Sequence, residues 1–233
     1  MTRLLCNIVF LKIVLFAASC SSEYVLNGNT DSFFDGARAY LKIEKDGKLL
    51  AVDSCDILHG KFSMQGDVDV PFVCALFIGD EAIRPVVLEK GDISVKIGRQ
   101  DIVVSGTELN NMLSNFMEQK ERFERHMALL ERKEAQLILE GYTAEGAAAY
   151  MRDSLAAAGG QLDSYVEDFI KEHYNTVLGP CVFRLLCSTL PYPFFTNQIE
   201  RILDDAPEVF LSDDFVKDFV MAAEENMRRL KVD

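Results

Sequence analysis

The hydrophobic period of this chain changes once, at Gly106, and that change limits the folds open to it. From Tyr24 to Gly106 the pattern is of period two, punctuated by turns. In "GARAYLKI", Ala37, Ala39, Leu41 and Ile43 share one face while Arg38, Tyr40 and Lys42 share the other, the pattern of a strand with one dry side. Asp46-Gly47 in "KDGK" marks a hairpin turn into "LLAVDSC". "KFSMQG" alternates again, with Phe62 and Met64 on one face. "FVCALFI", bounded by Pro71 and Gly79, is apolar throughout, which suits a central strand covered on both faces. With "RPVVLE", "ISVKI" and "IVVSG" the segment offers about eight short strands, the count and spacing of an antiparallel β-sandwich over residues 24–106.

Beyond Gly106 the period is helical. Leu109, Phe116, Phe123, Leu130 and Leu137 recur every seventh residue, with the charged runs "EQKER" and "ERKE" between them. A long amphipathic helix is expected from Thr107, as N-cap, to Glu140, with Gly141 ending it at about 50 Å. Such a stripe serves packing inside the chain. The alternative is a homodimer through this helix, which Lys120 and Glu134 oppose by breaking the second seam. Thr143 caps a second helix, Gly159-Gly160 is expected to loosen or break it, and the pair folds back around Gly141-Tyr142. A third helix is expected over Asn175 to Leu190, strained or restarted at Gly179-Pro180. "TNQIERILDD" and "SDDFVKDFVMAAEENMRRLK" complete the set, the last capped by Ser212 with Arg228, Arg229 and Lys231 at its negative end. The expected class is therefore α+β: the sandwich, then an all-helical region over residues 107–233.

The start of the chain addresses location. "MTRLLCNIVFLKIVLFAASC" has a basic opening, an apolar middle and small residues before Cys20, the layout of a secretory signal over residues 1–19. Its longest uncharged stretch, Ile13 to Ser22, is ten residues, where a spanning helix needs about twenty. "AASC" is similar to a lipobox, in which the cysteine thiol is acylated and becomes the first residue of the mature chain. Cys20 is thus the expected lipidation site and residues 20–23 a short polar tether, with a membrane as partner through the anchor and the cell envelope as location. Two or three acyl chains, at about 0.8 kcal/mol per buried methylene, hold a protein stably where one holds it marginally. The full chain carries a net charge of −13; residues 1–19 hold Arg3 and Lys12 and no carboxylate, so losing them gives −15. No basic stripe is present, which disfavours nucleic acid as a partner.

Motifs for chemistry are scarce. Cys55, Cys74, Cys181 and Cys187 form no C-x-x-C pair. On one helix Cys181 and Cys187 lie about 240° and roughly 9 Å apart, too far to bridge. Cys55 and Cys74 admit a disulfide in a secreted chain, but small buried thiols are the simpler reading. His59, His126 and His173 lack ligand spacing, so no metal site is expected. Asp67/Asp69, Asp204-Asp205, Asp213-Asp214 and Glu224-Glu225 fall beside turns and at helix ends, where caps and solvated faces account for them. No catalytic residue and no cofactor is expected.

"LNGNTDSFFDGARAYL", "VDSCDILHGKFSMQG", "VVLEKGDISVKI" and "VSGTELNN" together resemble the uncharacterised β domain that precedes the thioredoxin fold in lipid-anchored AhpC/TSA-type and thiol:disulfide interchange lipoproteins. The resemblance covers about residues 23–115, and the helices that follow look like the connector of those proteins. It implies an envelope protein. The C-x-x-C pair of the redox members has no counterpart here, so their activity is not carried over. The expectation is a non-catalytic, membrane-anchored binding or assembly module with an envelope protein as partner. The alternative is a redox-accessory protein that works with a separate thioredoxin-like oxidoreductase.

Overall fold

The computed structural model describes residues 23–30, 34–45, 47–99 and 101–230. Among them eight strands precede seven helices. The strands are β1 (Glu23–Thr30), β2 (Arg38–Lys45), β3 (Lys48–Asp56), β4 (Lys61–Asp67), β5 (Phe72–Ile78), β6 (Glu81–Leu88), β7 (Gly91–Ile97) and β8 (Ile102–Ser105). They form two four-stranded sheets, ordered β4-β1-β7-β8 and β3-β2-β5-β6. Alternation does the work: Tyr24, Leu26, Leu41, Phe62, Met64, Leu76, Val86, Ile93 and Val95 close one dry core between the sheets. Gly28 is part of that packing. It pairs with Phe62 across β1 and β4, and a Cβ at position 28 would lie 2.0 Å from the Phe62 ring.

One expectation is corrected. The sandwich is not antiparallel throughout, because β1 runs parallel to β7 from Tyr24↔Gly91 to Thr30↔Ile97. Alternation reports which face of a strand is dry and carries no information about a neighbour's direction. The apolar β5 is an interior strand, as its composition requires. Cys74, Leu76 and Ile78 face the sandwich core, while Val73 and the neighbouring Val87 of β6 pack into a second core made with the helices.

The helices are α1 (Glu108–Glu131), α2 (Glu134–Leu139), α3 (Ala144–Glu172), α4 (Leu178–Cys187), α5 (Asn197–Asp204), α6 (Glu208–Leu211) and α7 (Asp214–Leu230). Four boundaries differ from the sequence expectation. The long helix stops at Arg132, where the amides of Arg132 and Lys133 bond three residues back; the bend lets Leu137 seat against Ala147 and Met151. α3 runs unbroken through Gly159-Gly160, since Ala158 on one side and Val166 and Ile170 on the other are buried and hold the helix against the glycine penalty. α4 begins at Leu178, so Pro180 falls in its first turn, where a missing N–H costs nothing. Asp213 caps α7, accepting from the amides of Phe215 and Val216, while Ser212 donates to Val209 O instead. Thr143 caps α3 as expected.

α1 and α3 fold back on each other. The Phe116 ring stacks on Tyr165 at 5.4 Å and meets Phe169 at 4.4 Å, and Phe123 packs on Tyr165. Phe116 and Phe123 of the heptad seam thus pack against α3. Arg84 of β6 pairs with Glu121 of α1, and Arg184 of α4 pairs with Glu44 of β2 while lying over Phe215. Among the described residues no helix is long and apolar enough to cross a membrane.

Candidate functional site

The sandwich and the helices meet where β6, β8 and the first turns of α1 converge. Gly106 makes the turn, with φ +108 and a Cβ position only 2.2 Å from Asp92 O, a place for glycine alone. Thr107 follows as N-cap, but its hydroxyl accepts no helix amide. It accepts instead from Asn110 Nδ2 at 2.8 Å. Asn110 is buried, and its side chain pairs with both backbone groups of Val87: Oδ1 accepts from Val87 N–H at 3.0 Å and Nδ2 donates to Val87 O at 2.7 Å. The Asn110 amide N–H donates to the carboxylate of buried Glu89 at 3.1 Å. One side chain thus does for β6 what a neighbouring strand residue does, and each polar group is satisfied.

α1 treats the edge of β8 in the same way. In the β7–β8 ladder alternate residues of β8 turn their backbone groups outward. Val104 N–H donates to Ser114 Oγ at 3.2 Å, and Gly106 N–H donates to Asn111 Oδ1 at 3.1 Å. One helical turn is about 5.4 Å and two strand residues about 6.8 Å, so helix and strand match for two rungs and then part. The next outward rung is Ile102. There a cleft of about 390 Å³ opens, lined by Val103 and Ile102 on one side and Asn115 and Glu118 on the other. Its end is closed by Glu121, bound at 2.6 Å by Arg84 and approached at 3.7 Å by Arg125. Amide, carboxylate and guanidinium groups around an outward-facing backbone rung suit a polar or peptide-like ligand held by hydrogen bonds.

The thiols lie elsewhere. Cys55, Cys74, Cys181 and Cys187 are all free. Cys55 in β3 and Cys74 in β5 are separated by β2, about 9.6 Å at two strand spacings, beyond the reach of a disulfide. Burial pushes the Cys74, Cys181 and Cys187 thiols each up to about 12, and burial raises the half-buried Cys55 as well. Such groups stay protonated and weakly nucleophilic at neutral pH.

The other residues singled out in the sequence do not converge. Cys20 lies outside the described residues. His59 sits in a tight turn with φ 53, its amide held by Asp35; His126 is exposed on α1; His173 ends α3 with its ring against Phe169. Asp205 pairs with Lys171, Asp213 caps a helix, and Glu225 pairs with Arg228 and Arg229. Among the described residues no group of three or more His, Cys, Asp or Glu side chains is placed to hold a metal ion. Asn110 enters the sequence reading only as the end of the Gly106-Thr107-x-x-Asn110 motif of the family resemblance, and Asn111 and Ser114 were not picked out. Their signal was there: three polar residues on the first turns of a helix whose next turns face the core.

The fold and its joint define a β-sandwich sealed along one side by helices. Residues 24–113 match the family model described as "Domain of unknown function (DUF4369)". No curated protein and no solved structure matches the chain. The matched segment runs past the last strand and takes in Thr107, Asn110 and Leu113, so it contains the buried joint between sheet and helix.

Proposed function

We propose that this protein is a lipid-anchored lipoprotein of the cell envelope, tethered through Cys20, that works as a non-catalytic binding or assembly module. The observation that carries the binding role is the cleft at Ile102, where a strand edge, two asparagines and the Arg84–Glu121–Arg125 cluster surround an outward-facing backbone rung. The anchor rests on the small residues before Cys20 and on the resemblance to the β domain of AhpC/TSA-type lipoproteins. The partner is a protein of the same envelope.

The redox-accessory reading draws on that resemblance alone. The four described thiols speak against direct exchange, because burial holds all of them above the ordinary thiol range. A supporting role beside a separate oxidoreductase is compatible with the cleft but is not what its chemistry singles out.

The test uses photo-crosslinking side chains placed in cells at Val103 and at Asn115, with exposed Met221 of α7 as reference. Discrete adducts with one envelope protein at the first two positions and none at Met221 are expected. Equal labelling at all three removes the cleft from the proposal, and turnover by the purified protein removes the non-catalytic role. Cys20→Ser is expected to release the chain from the lipid fraction; retention there removes the anchor.

A further inference from the structure

Among the described residues the free edge of β3 presents outward backbone groups that can prescribe a partner. β3 borders its sheet beside β2, and Leu49, Leu50 and Val52 are 56%, 45% and 42% exposed. Exposed apolar strand edges are templates for further pairing unless blunted. The second half of this edge is blunted. Leu41 pairs with Asp53 but Lys42 pairs with Ala51, so Val52 is an extra residue, a bulge. Beyond it the amide of Ser54 is taken by the Asp53 carboxylate, and Arg38 ties down Ser54 and Asp56.

The first half has none of these devices. Ala37 O accepts from Ile57 N–H, and Arg38 O accepts from Gly79 N–H, which fixes the alternation along β2. Ala37, Ala39, Leu41 and Ile43 turn toward β3, so Leu50, the partner of Ile43, turns inward to the ladder. Leu49 and Ala51 therefore point their N–H and C=O groups outward, and among the described residues no side chain or backbone group takes them. Only one symmetric register fills both rungs. With a two-fold axis at Leu50, Leu49 of each copy faces Ala51 of the other and the four groups bond reciprocally. Moving the axis to Leu49 or Ala51 fills one rung and sends the other into the turn or onto Asp53, which the bulge has rotated toward β2.

We infer that β3 pairs antiparallel with β3 of a second copy of this chain, joining two four-stranded sheets across a two-fold axis at Leu50. Charge agrees with the direction. Lys48 lies at one end of the pairing segment and Asp53 just past the other, so antiparallel pairing brings unlike charges near each other and parallel pairing brings like charges together. Leu50 meets its own copy, and Leu49 covers Ala51. With pairing confined to residues 48–52 the contact falls below the roughly 1,200 Å² of a standard interface, so the dimer is a weak one. This surface is remote from the cleft and independent of the anchor.

Leu50→Cys tests the register. Residues on the axis of such a pair have Cα atoms about 4.5 Å apart, inside the disulfide range. Mild oxidation of the full chain should give a covalent dimer with Leu50→Cys and none above the unsubstituted level with Leu49→Cys. Dimer from both or from neither overturns the inference. Ala51→Pro gives a second readout. Its N–H faces outward, so proline is tolerated at this edge, and the variant should keep its native circular dichroism while losing the rise in weight-average mass with concentration. A folded Ala51→Pro protein that still dimerises also overturns it.

Discussion

At the scale of single residues, Asn110 makes more of the described hydrogen bonds than any other side chain on α1. It satisfies both backbone groups of Val87, the Thr107 hydroxyl and, through its amide, Glu89. Asn110→Ala leaves the Val87 groups buried without partners, and about 2–4 kcal/mol of stability should be lost; urea denaturation followed by circular dichroism measures it. The buried thiols predict a pH dependence of defined sign. Burial pushes Cys74, Cys181 and Cys187 up to about 12 in the folded chain, from the ordinary thiol value of 9.0. Between these values the unfolded chain binds fewer protons than the native one, so stability is full below about pH 9 and falls as pH rises toward 12. The expected slope is about 1.4 kcal/mol per pH unit for each thiol. Denaturation midpoints at pH 7, 9 and 10 check it, and Cys181→Ala should flatten the fall. An unchanged slope in that variant removes the assignment.

At the scale of elements, intrinsic preference and tertiary packing can be separated on one helical hairpin. Gly141 has φ +99 and turns the chain between α2 and α3, whereas Gly160 lies inside α3 with open space where a Cβ would go. Gly141→Ala should cost about 1 kcal/mol through strain in the left-handed region. Gly160→Ala should raise stability by about 0.5–1 kcal/mol by removing unfolded-state freedom. Paired thermal melts of the two variants decide whether α3 is continuous in solution: a destabilising Gly160→Ala would mean the helix breaks there. The helical character of residues 108–139 was legible from the seven-residue repeat, and the start of α3 from the Thr143 cap. The interruption at Arg132 was not, because it is set by where Leu137 finds a pocket between Ala147 and Met151.

At the scale of the whole molecule, the strands and the helices share packing across their boundary. Val73 and Val87 belong to strands yet pack among Phe116, Leu178 and Phe183, and Arg84–Glu121 and Arg184–Glu44 span the same boundary. Residues 23–106 prepared alone would expose that outer sheet face and strip Val87 of its Asn110 partner. Such a fragment is expected to aggregate or to unfold without cooperativity in calorimetry, while the full chain melts cooperatively. A monomeric fragment with a sharp transition would show that the helices are an accessory cover.

The sequence by itself determined which residues turn inward, since a period of two and a period near 3.6 each leave one face apolar whatever the neighbours are. It therefore determined the eight strands, the switch at Gly106 and the α+β class. The parallel pairing of β1 with β7, the two rungs that α1 supplies to β8, the cleft at Ile102 and the unblunted half of β3 were decided by tertiary structure. The reason is that backbone groups are the same in every residue. Which N–H is taken and which is left facing outward depends on what the fold brings alongside, and side-chain pattern does not encode that.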